Sequence, residues 1–190
     1  IFGADPKQSG EVILDGKQLS ITSPADAIRE GLVLVPEDRK RDGLCVNLSV
    51  EDNLALANMD LLCAGGVRSE RKKKALVDAA ICNLKIKLAG RGVDAGTLSG
   101  GNQQKIVIGK WLARQSRVII FDEPTRGIDV AAKVEIYNLI NELKKQGIGV
   151  ICVSSELPEV MGISDRIIVM CNGKVTGEVR AEETTQQEIM

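Results

Sequence analysis

Leu98-Ser99-Gly100-Gly101-Asn102-Gln103-Gln104-Lys105 and, further along, Asp122-Glu123-Pro124-Thr125 are the residues whose types and spacing could do chemistry. Ser99 stands where a helix cap would stand. Gly100 and Gly101 leave the first backbone N–H groups of that helix uncovered, so that a phosphate can approach them. Asp122 and Glu123 close an apolar run, Val118 to Phe121, that reads as a buried strand. Two carboxylates at a strand end are what a magnesium ion and an attacking water require. Together the two stretches point to nucleotide chemistry.

The elements that must position them follow from hydrophobic spacing. After the glycines a helix carries Ile106, Val107, Ile108, Trp111 and Leu112, and Val118 to Phe121 is the strand that follows. Ala131 to Lys145 is a helix followed by a strand from Ile148 to Val153; Glu156 to Met161 is a short helix followed by a strand from Arg166 to Met170. Strands alternating with helices predict a mostly parallel sheet, and Asn172-Gly173 turns the chain into a last strand ending near Val179. Upstream, Glu11 to Leu14, Asp15-Gly16 and Lys17 to Leu19 form a hairpin with a type I′ turn. Ser23-Pro24, Asp26 and Gly31 bracket a short helix, and Leu32 to Val35 is a strand ended by Pro36. Between these parts the spacing becomes helical: Ser49 and Asp52 make a capping box for a helix through about Met59. Ser69 starts another, with Leu76, Ala79, Ala80, Leu84 and Ile86 partly on one face and Arg71 to Lys74 as helix surface. The expected organisation is one α/β domain: residues 1–36 β-rich, 37–96 a helical subdomain, 97–190 the rest of the core. Ile1-Phe2-Gly3 before Pro6 reads like the end of a helix, so the chain is taken as part of something longer.

Composition narrows the classes. An apolar fraction of 44 % with one Trp, one Tyr and two Phe leaves the core to Val, Ile, Leu and Ala. A net charge of −1 lacks the basic excess of a nucleic-acid binder, which excludes DNA or RNA as the main partner. Five cysteines with no C-x-x-C pair and no histidine form no metal site; they are expected as buried thiols in a reducing compartment. No apolar segment approaches the ~20 residues that span a bilayer, so a membrane role has to come through a partner.

Val35-Pro36-Glu37-Asp38-Arg39-Lys40-Arg41-Asp42-Gly43-Leu44, the LSGGNQQK stretch, Asp122-Glu123-Pro124-Thr125-Arg126-Gly127-Ile128-Asp129-Val130 and Ser154-Ser155-Glu156-Leu157-Pro158-Glu159 occur in one order. In that order they resemble the ATP-binding cassette ATPases, in particular the second nucleotide-binding domain of ribose, xylose and galactose type sugar importers. The resemblance implies a RecA-like cassette fold with an antiparallel β portion, ATP and Mg²⁺ as cofactors, and ATP hydrolysis within the full protein, the isolated chain being inactive. It implies that Ser99, Gly100, Gly101, Asn102 and Gln103 close over the γ-phosphate of an ATP held by a facing domain. Asp122 then holds magnesium through water, Glu123 is the general base, and Asp129 lies in a loop that crosses between the two domains. The implied partners are that facing domain, a membrane-spanning permease and, indirectly, a sugar-binding protein. The implied place is the cytoplasmic face of the membrane.

The chain also departs from that pattern. A phosphate loop needs G-x-x-x-x-G-K followed by Ser or Thr, and neither Gly16-Lys17, Gly109-Lys110 nor Gly173-Lys174 fits. The expectation is that the loop lies upstream, outside this chain. Glu37 stands where a glutamine is usual and, when ionised, cannot donate a hydrogen bond. Ser155 stands where a switch histidine is usual. A degenerate module that only completes another domain's site is therefore an alternative reading. A cassette ATPase of DNA repair or translation is another, without the coiled coils or basic tail usual there. The run Arg39-Lys40-Arg41 fits either a contact with an acidic patch of the permease or a solvated basic surface.

Overall fold

The computed structural model describes residues 1–189. Its centre is a parallel sheet of β3 (Leu32–Val35), β6 (Val118–Asp122) and β7 (Gly149–Val153), with β6 in the middle. The register runs Leu32↔Val118 to Val35↔Phe121 and Val118↔Gly149 to Asp122↔Val153, so Asp122 sits at the C-terminal edge of the sheet beside the end of β7. Ile119, Ile120 and Phe121 are buried in succession, which requires cover on both faces and explains why β6 reads as an unbroken apolar run.

Ahead of this sheet lie the hairpin β1 (Val12–Leu14) and β2 (Lys17–Leu19) and the helix α1 (Pro24–Arg29). Asp15 and Gly16 both have positive φ, 49° and 76°, as a type I′ turn demands. Leu19, Ile21, Ala27 and Leu32 close a small core beneath the hairpin. The segment after β3 folds as one tight turn over Arg39–Gly43 and continues into α2 (Val50–Leu56), α3 (Met59–Leu62), the short pair β4 (Cys63–Ala64) and β5 (Val67–Arg68), and α4 (Glu70–Asn83). Then come α5 (Gly100–Leu112), α6 (Val130–Lys145) after β6, α7 (Leu157–Ile163) after β7, β8 (Arg166–Cys171), β9 (Lys174–Arg180) and α8 (Gln186–Ile189).

Helix α5 is the hub of the molecule. Ile106, Val107 and Ile108 are fully buried in one cluster with Val33, Val35, Ile119 and Phe121 of the sheet and Ile136, Ile140 and Leu143 of α6. Two glycines let it approach its neighbours: a methyl on Gly101 would stand 2.6 Å from Cβ of Ala132 in α6, and one on Gly109 would stand 2.9 Å from Leu54 in α2 and from Leu84, the C-cap of α4.

Several expectations change. Strand β8 does not extend the parallel sheet; among the described residues it pairs only with β9, and that pairing is antiparallel because Asn172 and Gly173 (φ 49° and 76°) fold the chain straight back. Residues 1–3 form no helical turn. The helix capped by Ser49 ends at Leu56 rather than near Met59. On α4, Ala79 is exposed and Lys73 is buried, so the run Arg71 to Lys74 is not all surface. The Lys73 ammonium reaches Asp52 at 2.7 Å and Glu51 at 3.2 Å, which stitches α4 to the start of α2; hydrogen bonds from Lys73 and Ser49 lower the Asp52 pKa. The cysteines are not buried: Cys45, Cys82 and Cys171 are exposed, and Cys63 and Cys152 half-buried, the core itself being filled mainly by Leu, Ile and Val.

Candidate functional site

The first helical turn of α5 packs through its glycines and leaves Ser99 exposed at its start. Ser99 occupies the N-cap with extended backbone, φ −60° and ψ 155°, but its hydroxyl makes no cap hydrogen bond to the helix. This corrects the capping role read from sequence; Ser99 Oγ instead accepts from Asn102 Nδ2 at 3.0 Å. The helix start, with the positive end of its dipole, lies beside this exposed serine, an arrangement that suits a phosphate oxygen. Gly100 has a second reason to be glycine. A methyl there would meet Arg39 Nη2 at 2.7 Å and the Gly127 carbonyl at 3.1 Å.

Gln103 does not belong to that open face. It is 2 % exposed, donates from Nε2 to the carbonyls of Ala95 and Gly96 at 3.2 and 3.3 Å, and accepts from Arg39 Nε at 3.4 Å. Both ends of its amide are engaged inside the chain, which gives Gln103 a structural task. Lys105, the last residue of the motif, is 5 % exposed and bonds Glu135 of α6 at 2.6 Å and the Lys85 carbonyl at 3.2 Å.

The carboxylates form a second locus. Asp122, with Glu37, Arg39 and Arg126, lines a cleft of about 570 Å³ outside the C-terminal end of β6, where α/β sheets bind ligands. Glu37 is ion-paired with Arg126, so the position where a glutamine is usual is occupied by a charge pair. Glu123 is in the left-handed region, φ 44°, where a non-glycine residue is strained. Two bonds hold it there: its N–H donates to the Val153 carbonyl at 2.8 Å, and its Oε1 accepts from the Ser155 backbone N–H at 2.8 Å. Ser155 thus acts on Glu123 through its main chain. Asp129 is exposed and its carboxylate caps α6, accepting from Ala132 N at 3.0 Å.

Carboxylates gather around the end of β7, and Lys133 pairs with one of them, Glu156. Burial first, and then the charges of Glu159, Glu123 and Asp122, push the Cys152 thiol up to about 12. Glu159 is 2 % exposed; one oxygen takes the Ser154 hydroxyl, and Oε1 has no partner among the described residues. No group of three or more His, Cys, Asp and Glu converges as a metal cage among the described residues. Mg²⁺ does not need one, because it keeps several waters and takes one or two carboxylates plus phosphate oxygens. Asp122 in this acidic edge fits that limited demand.

Sequence reading missed Arg39. Its Nη1 donates to the Arg126 carbonyl at 2.7 Å and its Nη2 to the Gly127 carbonyl at 3.0 Å, while Nε faces Gln103. One guanidinium therefore joins the segment after β3, the loop after Glu123 and the start of α5, whereas Lys40 and Arg41 stay exposed. Only the sharp change to a charged run after Pro36 hinted at it, and that hint did not separate Arg39 from its neighbours.

Solved structures place the architecture. The ATP-binding cassette MJ1267 of an ABC transporter superposes with a TM-score of 0.77 at 26 % identity, covering 96 % of this chain and 74 % of that one. The cbiO1 protein of Clostridium perfringens has the same fold, with a TM-score of 0.77 at 24 % identity over 95 % of this chain and 70 % of that one. The fold is that of an ATP-binding cassette. Residues 1–126 match the ABC transporter family, and the chain belongs to that family. Among curated relatives it is 47 % identical to the ribose import ATP-binding protein RbsA of Oceanobacillus iheyensis, and 50 % identical to a putative ribose/galactose/methyl galactoside import ATP-binding protein of Agrobacterium fabrum. Each match takes in the whole of this chain and 38 % of the relative's length. Among the described residues no helix is long and apolar enough to cross a membrane.

Proposed function

We propose that this chain is one nucleotide-binding domain of an ATPase that powers monosaccharide import, and that the start of α5 serves an ATP held by a facing domain. The observation that carries the reading is that Ser99, exposed at the start of α5 with its hydroxyl uncommitted to the helix, is not among the residues lining the cleft that holds Asp122, and that the wall of that cleft, Glu37, is engaged by Arg126. The names of the relatives supply the cargo class, ribose or a similar sugar. On this reading Ser99 donates its hydroxyl to a γ-phosphate oxygen, with the amides of Gly100 and Gly101 beside it. Asp129, exposed at the start of α6, faces the partner domain. In this domain's own site Asp122 holds Mg²⁺ through water and Glu123 orients the attacking water. The division into residues 1–36, 37–96 and 97–190 follows these roles, with the helical middle part turned to the permease at the cytoplasmic face of the membrane.

The Glu37–Arg126 pair and the absence of histidine favour a second reading, in which this domain's own site turns over poorly and its main task is to complete the other. The experiment is ATP turnover by the assembled ATPase carrying Ser99→Ala or Glu123→Gln. The expected result is a large loss for Ser99→Ala and a smaller one for Glu123→Gln. Abolition by Glu123→Gln with no effect of Ser99→Ala would reverse the assignment.

A further inference from the structure

Asn102 was expected to touch nucleotide, yet both ends of its amide are engaged within the chain. Oδ1 accepts from the Lys87 backbone N–H at 2.9 Å, and Nδ2 donates to Ser99 Oγ at 3.0 Å. The orientation is fixed by chemistry: a backbone N–H can only donate, so the amide atom facing Lys87 has to be oxygen, and the NH₂ group then faces Ser99. The Lys87 end is itself anchored. Ile86 beside it is buried in the main core, and Lys105 Nζ holds the carbonyl of Lys85 at 3.2 Å.

A serine hydroxyl has one proton and two lone pairs. The Asn102 amide occupies a lone pair of Ser99, so the Ser99 proton is not spent on Asn102, nor does its oxygen take an amide of α5. Accepting one bond also polarises the hydroxyl and makes it a stronger donor. We infer that Asn102 is a positioning residue that sets Ser99 as a hydrogen-bond donor toward a phosphate oxyanion; this rests on the reading of the α5 start given above. Lys105 and the loop through Lys87 brace Asn102, which gives the last residue of the motif a task as well.

Asn102→Asp reverses the polarity at almost constant shape. A carboxylate still accepts from the Lys87 N–H, but it now takes the Ser99 proton and leaves that hydroxyl with nothing to give. In the assembled ATPase, kcat/KM for MgATP is expected to fall on the order of 10²-fold, the scale seen when one oxyanion donor is lost. Ser99→Ala should fall comparably, and Asn102→Asp added to Ser99→Ala should cost nothing further. Asn102→Ala, which only frees the rotor, should cost a few-fold with Ser99 present and nothing with Ser99→Ala; it carries the test if Asn102→Asp does not fold. An equal loss from Asn102→Asp in both backgrounds would mean that the added charge repels phosphate directly, and would overturn the inference. So would silent Asn102 variants beside a damaging Ser99→Ala. A silent Ser99→Ala would remove the reading of the α5 start itself.

Discussion

Gly101→Ala should destabilise the protein although alanine is the better helix former. Replacing a helical glycine by alanine gains up to ~1 kcal/mol in propensity. Against this, the new methyl would stand 2.6 Å from Cβ of Ala132, where two carbons prefer about 3.5–4.0 Å. Neither atom can rotate away, because each is bonded to its own backbone, so α5 and α6 must separate by about 1 Å. That loosens the layer where Ile106, Val107 and Ile108 meet Ile136 and Ile140, and overpacking of this kind costs about 1–3 kcal/mol. The net expectation is a loss of about 1–2 kcal/mol. Gly162 in α7 is the control: nothing lies within 4 Å of an added methyl, so Gly162→Ala should stabilise by about 0.5–1 kcal/mol. Equilibrium urea unfolding of both variants measures the gap. Adding Ala132→Gly to Gly101→Ala should recover part of the loss, as a coupling between touching residues. If Gly101→Ala stabilised as Gly162→Ala does, the close approach of α5 and α6 would be refuted, and only ligand contact would be left to explain the glycine.

Arg39→Gln should release the carbonyls of Arg126 and Gly127, lower stability by about 1–3 kcal/mol and speed hydrogen exchange at Ile128, whose N–H bonds the Thr125 carbonyl. Arg39→Lys should recover little, since one ammonium does not span both carbonyls and Gln103; unchanged exchange in both variants would remove the joint. Cys152 should alkylate last at pH 9, after exposed Cys45, Cys82 and Cys171, because its thiol is pushed up to about 12. A thiol pKa raised in the folded state leaves stability whole below the ordinary thiol range and lowers it as pH rises toward the folded value; labelling of native Cys152 as fast as Cys171 would contradict the burial, and the neighbouring carboxylates, assigned to it.

What could be read in the sequence was local. Turns at Asp15-Gly16 and Asn172-Gly173 are legible because only a few residues accept two positive φ angles in succession, and β6 is legible because a strand covered on both faces has no polar interruption. The carboxylates at the end of β6 were legible for the same reason. The rest depended on contacts between distant segments. Lys73 looks like surface until Glu51 and Asp52 arrive from another helix, and Gln103 looks like a ligand contact until Ala95, Gly96 and Arg39 enclose it. Strand β8 shows the limit from the other side: its pattern fits a parallel core strand, yet among the described residues it pairs only with the strand its following turn brings back.

Ser155, standing where the resemblance puts a switch histidine, has a narrower meaning once the geometry of Glu123 is considered. Glu123 pays for its left-handed backbone with two bonds, and both come from main-chain atoms, the Val153 carbonyl and the Ser155 N–H. Any residue except proline at position 155 supplies that N–H, so losing the imidazole does not disorder the carboxylate. What is lost on the proposed reading is a side chain that can become cationic and carry a proton at the γ-phosphate; the Ser155 hydroxyl can donate but stays neutral, and Glu37, drawn to Arg126, does not replace it. The base is thus kept in place while the groups that would sense the phosphate are not. A chain shaped this way has more to offer a phosphate presented to Ser99 from outside than one placed over Asp122.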